Sequence, residues 1–158
     1  MKILLFGKGG QVGWELQRSL AFMGELVALD VNDQELCGDF THPDSIIQTI
    51  HSVSPDVIVN AAAYTAVDKA ESESELADTI NTQAPEILAQ ESRKLGAWLI
   101  HYSTDYVYAN SESNVSEYGI PVHCENWYSY TKLLGESYVE LKLKNYLIIR
   151  GTHKPTPF

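Results

Sequence analysis

The chain opens with Lys2-Ile3-Leu4-Leu5-Phe6-Gly7-Lys8-Gly9-Gly10-Gln11-Val12-Gly13. Residues 2–6 are almost all apolar and read as a short strand buried on both faces. Gly7, Gly10 and Gly13 follow at once with GxxGxxG spacing, and a helical pattern then runs over 11–22. Strand, glycine turn and helix in that order bring backbone close to a pyrophosphate and aim a helix N-terminus at it. A glycine-rich turn is also an ordinary way to reverse a chain, so the reading depends on what surrounds it.

What surrounds it is regular alternation. Further short apolar runs lie at 25–30, 57–60, 97–102 and 146–150, and helical patterns lie between them at 43–52, 73–95 and 127–143. Alternation of this kind predicts an α/β fold, a Rossmann-like doubly wound parallel sheet with helices on both faces. The expected strand order is 3-2-1-4-5, with the first strand central. Gly24, Pro55-Asp56 and Gly96 punctuate the pattern where elements should end. Residues 109–125 are polar and aperiodic, and a loop that long is often functional. At 158 residues the chain reads as one domain, 1–158.

Composition narrows the function. Apolar residues make up 44% and charged residues 20% of the chain, a balance that suits a packed core rather than disorder. No apolar run is long enough to span a bilayer, and no charged-then-apolar leader precedes the first strand. Cys37 and Cys124 are far apart and form no CxxC pair, which suggests reduced thiols and a cytoplasmic location. The net charge of −10 argues against nucleic acid and anionic membranes as partners. It leaves room for a phosphorylated small ligand held by backbone N–H groups.

Asp30 ends the second strand, where an acidic residue about 20 positions past the glycines accepts hydrogen bonds from an adenosine ribose. Asp33 follows, and no Arg or Lys comes after it to meet a 2′-phosphate, so NADH is expected to serve at least as well as NADPH. In Gly38-Asp39-Phe40 a carboxylate can accept from an adenine amino group while an apolar side chain packs on the ring. Ala61-Ala62-Ala63-Tyr64 ends the third strand with small side chains that admit a cofactor to the backbone. Tyr102-Ser103-Thr104-Asp105 ends the fourth, at the edge where open α/β sheets bind ligands. His101 alternates away from Tyr102 and reads as structural.

Tyr-x-x-x-Lys occurs twice, at Tyr128/Lys132 and Tyr138/Lys142. Residues four apart share a helix face, so either pair could be a proton donor with its electrostatic tuner. Tyr128 begins the helix beside the strand ends; Tyr138 lies mid-helix, where a tyrosine is core and a lysine snorkels. The first pair is the candidate.

Ile3–Gly13, 57–70, 97–107 and 126–136 together resemble the dTDP-4-dehydrorhamnose reductases, extended-type members of the short-chain dehydrogenase/reductase superfamily. The resemblance implies NADH- or NADPH-dependent reduction of a 4-keto nucleotide sugar, the last step of dTDP-L-rhamnose synthesis. It puts the cofactor on Gly10, Gln11, Val12, Asp30, Asp39, Phe40, Ala63, Tyr64 and Thr65. Gly7, Gly13 and Ala62 join them from the turn and the small-residue run. It makes Thr104, Tyr128 and Lys132 catalytic, with Tyr128 and Lys132 also against the cofactor, and Thr104 and Asp105 on the sugar. Glu15 matches a position that helps bind magnesium in some members; a lone Glu on a helix is usually solvated, and no metal is assigned.

Family members are about twice this long, and their C-terminal half builds most of the sugar pocket. After Arg150 this chain reads Gly151-Thr152-His153, where the family has a Thr-Ser-Trp-like segment. The chain is therefore expected to bind cofactor, to reduce nucleotide sugar slowly or not at all, and to self-associate through apolar surface near 148–158. The rival readings are a non-catalytic NAD(P)-binding module resembling the regulatory subunit of methionine adenosyltransferase, and an inactive fragment.

Overall fold

A computed structural model describes residues 1–108 and 124–151. Five parallel strands form one sheet: β1 (Lys2–Phe6), β2 (Glu25–Leu29), β3 (Val57–Asn60), β4 (Trp98–Thr104) and β5 (Tyr146–Gly151). The helices are α1 (Gln11–Leu20), α2 (Pro43–Val53), α3 (Val67–Ala70), α4 (Ser74–Asp78), α5 (Ala84–Leu95) and α6 (Trp127–Lys142). The loop expected at 109–125 lies almost wholly outside the described residues, as do 152–158. No helix among the described residues is long and apolar enough to cross a membrane.

The strand order is β2-β1-β3-β4-β5, which corrects the expected 3-2-1-4-5. The Val57–Asn60 strand does not extend the sheet beyond β2. It pairs with the other side of β1, Ile3 opposite Val57 and Phe6 opposite Asn60. An outer strand beyond β2 would have to come from the segment between β2 and α2. There the chain bends instead and buries Phe40 against Phe6, ring centroids 5.2 Å apart. The winding still reverses once. It passes from β1 out to β2 and back across to β3, so the switch point lies between the carboxyl ends of β1 and β3.

Burial explains the apolar strand runs. Ile3, Leu4, Leu5 and Phe6 are all buried, because β1 is covered on both faces. Leu4, Phe6, Ile58 and Leu99 pack with Ile46 and Ile50 of α2, Leu88 of α5 and Val139 of α6. On the opposite face Ile3, Leu5 and Val59 meet Leu16 and Leu20 of α1. Farther along, Trp98 is 51% and Leu147 49% exposed, so β4 and β5 retain accessible apolar side chains.

The helix expected over 73–95 is divided. α4 passes through a π-helical turn, Thr79–Gln83, before α5. Pro85 at the start of α5 explains the division: it has no N–H to give and its ring crowds the carbonyl one turn back. The widened turn frees Asn81 and Thr82 for side-chain work. α6 starts on a capping box in which Asn126 accepts from the Ser129 N–H at 2.8 Å and the Ser129 side chain answers the Asn126 N–H. That cap fixes the register of the first turn, which carries Tyr128.

Candidate active site

Strand pairing aligns Phe6 with Leu29 and Asn60, and Asn60 with His101. The segments that follow therefore emerge along one sheet edge: the glycine turn, Asp30, Ala61–Tyr64 and Tyr102–Asp105.

The glycine turn is built for close approach. Gly7 has φ +86°, a backbone conformation that side chains resist, and a Cβ there would meet the Ala62 nitrogen at 2.6 Å. A Cβ on Gly13 would lie 1.9 Å from the Gly7 carbonyl oxygen, so α1 can pack against the turn only with glycine there. Gly10 is the N-cap of α1 and supplies no side-chain cap to its first N–H groups. Gln11 and Val12 next to it are exposed. An exposed, uncapped helix N-terminus behind a tight glycine turn suits a pyrophosphate.

Asp30 accepts from the Gly9 N–H at 2.8 Å and from the Val31 N–H at 2.7 Å, which fixes its carboxylate beside the turn. Asp33 accepts from the Asp30 N–H at 2.6 Å and pairs with Lys8 at 2.6 Å. The Lys8 bond and the Asp30 N–H hold its carboxyl below the usual range. Lys8 is a basic residue that sequence reading overlooked, because it precedes Asp30 in the chain; its signal was a lone charge inside the glycine turn.

Asp39 accepts from both the N–H and the hydroxyl of Thr41, at 2.9 and 2.8 Å. Burial pushes its carboxyl up, but these bonds and His42 outweigh that and hold it low. Phe40 is buried in the core with its ring against Phe6. Ala62 and Ala63 are half-buried, and Thr65 is exposed. The Tyr64 segment is held by Asn81, which accepts from the Tyr64 N–H at 2.9 Å and donates to its carbonyl at 3.1 Å. The Tyr64 hydroxyl donates to Glu73 at 2.5 Å, which pushes the phenol up to about 12. Asn81 was missed because a polar residue inside a predicted helix carries no mark of which loop it ties down.

The three expected catalytic residues lie at the end of β4, Tyr128 against Thr104 and Lys132 on the Tyr102 carbonyl. Tyr128 is 8% exposed, and its ring stands edge-on to Tyr106 at 6.0 Å. Burial pushes its phenol up, while a hydrogen bond from Thr104 works the other way. The Thr104 hydroxyl also accepts from the Tyr106 N–H at 3.2 Å and lies 3.4 Å from Asp105 Oδ1. Lys132 is 2% exposed and donates from Nζ to the Tyr102 carbonyl at 2.7 Å. Burial pushes its ammonium down to about 8, against the pull of Glu136.

The second Tyr-x-x-x-Lys pair is elsewhere: Lys142 pairs with Glu86 of α5 at 3.3 Å. His101 is fully buried. Asn60 accepts from the Ala62 N–H, so its amide donates to His101 Nδ1 at 3.1 Å. Burial, then the nearby Lys132, hold this imidazole well below its ordinary range. Glu15 pairs with Arg18 at 2.9 Å on the exposed flank of α1. An open groove of about 770 Å³ runs from Gly9–Val12 along Trp14 and Glu15 to Tyr102. Its lining takes in the glycine turn but none of Thr104, Tyr128 and Lys132.

A family model, the RmlD substrate binding domain, matches residues 1–153. The chain is 51% identical over 150 residues to the dTDP-4-dehydrorhamnose reductase of Salmonella typhimurium, covering 95% of this chain and 50% of that protein. Among solved structures it resembles a dTDP-4-dehydrorhamnose reductase from Clostridium acetobutylicum, with 36% identity, TM-score 0.86, and coverage of 95% of this chain and 52% of that one. It also resembles the Bacillus anthracis enzyme in complex with NADP, with 31% identity, TM-score 0.85, and coverage of 96% and 53%. The chain thus spans about half the length of the curated relatives it matches.

Proposed function

Since the chain belongs to the RmlD substrate binding domain family, we propose that it is the NAD(P)H-binding, proton-donating half of a reductase for a 4-keto nucleotide sugar. Residues 1–158 would form one Rossmann-like domain that takes NADH or NADPH. The observation that carries the reading is the convergence of Thr104, Tyr128 and Lys132 at the sheet edge that also presents the glycine turn. That convergence favours catalysis over a module that only binds cofactor.

The turn from Gly7 to Gly13 and the α1 N-terminus would hold the pyrophosphate, Asp30 the adenosine ribose, and Ala62–Thr65 the nicotinamide half. The bound cofactor supplies the hydride. Everything else falls to the chain. Thr104 donates a hydrogen bond to the carbonyl oxygen, and that bond strengthens as the oxygen gains charge. Tyr128 hands its phenolic proton to the same oxygen, so that C=O plus hydride plus proton becomes CH–OH. A phenol is protonated at neutral pH, as a donor must be, and burial pushes this one further that way. The Lys132 charge then stabilises the phenolate left behind. Asp105 would touch the sugar.

The test is oxidation of NADH and of NADPH by the purified chain, with and without a dTDP-4-keto-6-deoxy sugar. Sugar-dependent oxidation that Tyr128→Phe lowers by about 10²-fold or more is the expected result. Oxidation that ignores the sugar, or is barely slowed by that change, sinks the reading.

A further inference from the structure

Lys132 and Glu136 sit one turn apart on α6, and both are buried, 2% and 1% exposed. Two opposite charges on the inner face of a helix are a poor way to stabilise a fold, because desolvation offsets much of their attraction. Glu136 is nevertheless tightly held. Arg150 of β5 donates from Nε to both its oxygens at 3.1 and 3.0 Å, and from Nη2 to Oε2 at 2.6 Å. The remaining Arg150 nitrogen, Nη1, donates to the Tyr108 hydroxyl, and the guanidinium lies 5.0 Å from the centre of that ring. Arg150 thereby joins three pieces: β5, the helix that carries Tyr128 and Lys132, and the turn that follows Thr104 and Asp105.

We propose that Glu136, locked by Arg150, is a positioning residue that keeps Lys132 charged and fixed beside Tyr128. The proposal rests on the reading of Lys132 as the tuner of Tyr128. The groups around Lys132 leave Glu136 that role. β4 contributes the Tyr102 carbonyl and the neutral, buried His101. β5 contributes Arg150, already spent on Glu136 and Tyr108. Asp105 accompanies Thr104 near Tyr128, and Glu71 and Glu73 are engaged by the Trp127 N–H and the Tyr64 hydroxyl. The π-helical turn presents neutral Asn81 and Thr82 to Thr131. Among the described residues Glu136 is the carboxylate that favours the Lys132 ammonium, while burial works against it. Arg150 has a second effect: by claiming both oxygens it stops Glu136 from turning onto Lys132 and drawing the ammonium away from the Tyr102 carbonyl.

The test titrates Lys132 directly. Lysine labelled with ¹³C at Cε is followed by NMR in the full chain, the Lys132 signal being identified by its loss in Lys132→Met. Glu136→Gln leaves the half-buried Arg150 without its carboxylate and can destabilise the protein. The informative variant is therefore Glu136→Gln with Arg150→Met, which removes the pair as a unit. Its expected Lys132 midpoint is lower by about one pH unit or more, at least tenfold in proton affinity. Arg150→Lys should keep the wild-type midpoint. A folded double variant with an unchanged Lys132 midpoint overturns the proposal, and so does Arg150→Lys shifting it as far as the double variant does. A lowered midpoint in a chain that binds neither NADH nor NADPH upholds the Glu136–Lys132 relationship and rejects the reductase reading instead.

Discussion

Lys8 Nζ lies 2.6 Å from Asp33 Oδ1, so a cation from the glycine turn and an anion from beyond β2 neutralise each other beside Asp30. This is where a dinucleotide would place its adenosine ribose. With Lys8 engaged, Asp30 and Asp33 would disfavour a 2′-phosphate; with Lys8 released, the same corner would offer one a cation. Asp33→Asn should therefore shift preference toward NADPH by roughly tenfold, about the value of one charge-assisted hydrogen bond. Fluorescence titration of both cofactors against wild type and variant measures it. An unchanged ratio of the two affinities would mean that the pair is a surface ornament.

Tyr128 and Tyr138 carry the same motif in different surroundings. Tyr128 is buried against Thr104 and Tyr106, whereas the lysine that follows Tyr138 is taken by Glu86. Tyr128→Phe should lower the reduction rate roughly 10²–10⁴-fold, the usual span for a positioned acid, and Tyr138→Phe should leave it nearly intact. Comparable losses in steady-state rate for the two variants would reject this assignment.

Which of these relationships could be read from the sequence follows from their range. The glycine turn, the strand runs and the Tyr128/Lys132 pair are local, and each shows in a window of a dozen residues. Strand order is not local: nothing between 30 and 42 says whether that segment makes an edge strand or, as it does, a bend that buries Phe40. The surroundings of Phe40 are hidden for the same reason, since a ring that would stack on adenine and a ring that fills a core look identical in sequence. Arg150 is the extreme case. Its partners, Glu136 and Tyr108, are brought to it by the pairing of β4 with β5 and the path of α6. No motif records that meeting.

The same local and long-range division bears on Gly13. A Cβ there would sit 1.9 Å from the Gly7 carbonyl oxygen. Neither the turn nor the helix can yield that much without separating. Gly13→Ala should cost about 1–3 kcal/mol, the usual price of overpacking, and should abolish measurable NADH binding even where the chain remains folded. Denaturant unfolding and cofactor titration on the same sample separate the two effects. Binding retained at wild-type affinity would show that α1 can move off the turn.

Burial of Lys132 predicts a conflict between stability and activity. An ordinary lysine loses its proton near 10.5, and this one loses it at about 8, chiefly because it is buried. Between those values the unfolded chain holds a proton that the folded chain has released. Wild-type stability should therefore rise with pH from about 8 to about 10.5 through this group, and below 8 the full cost should be present. The drop from 10.5 to about 8 corresponds to roughly 3 kcal/mol. Lys132→Met removes that cost but leaves the Tyr102 carbonyl without its donor, which returns about 1–3 kcal/mol. The net gain at neutral pH is small, but its pH dependence is not ambiguous. Urea unfolding at pH about 7 and about 10 should show wild type gaining on the variant as pH rises, while the variant loses sugar reduction throughout. A stability difference that stays constant across that range would show that Lys132 titrates as an ordinary exposed lysine does and that its burial carries no charge penalty.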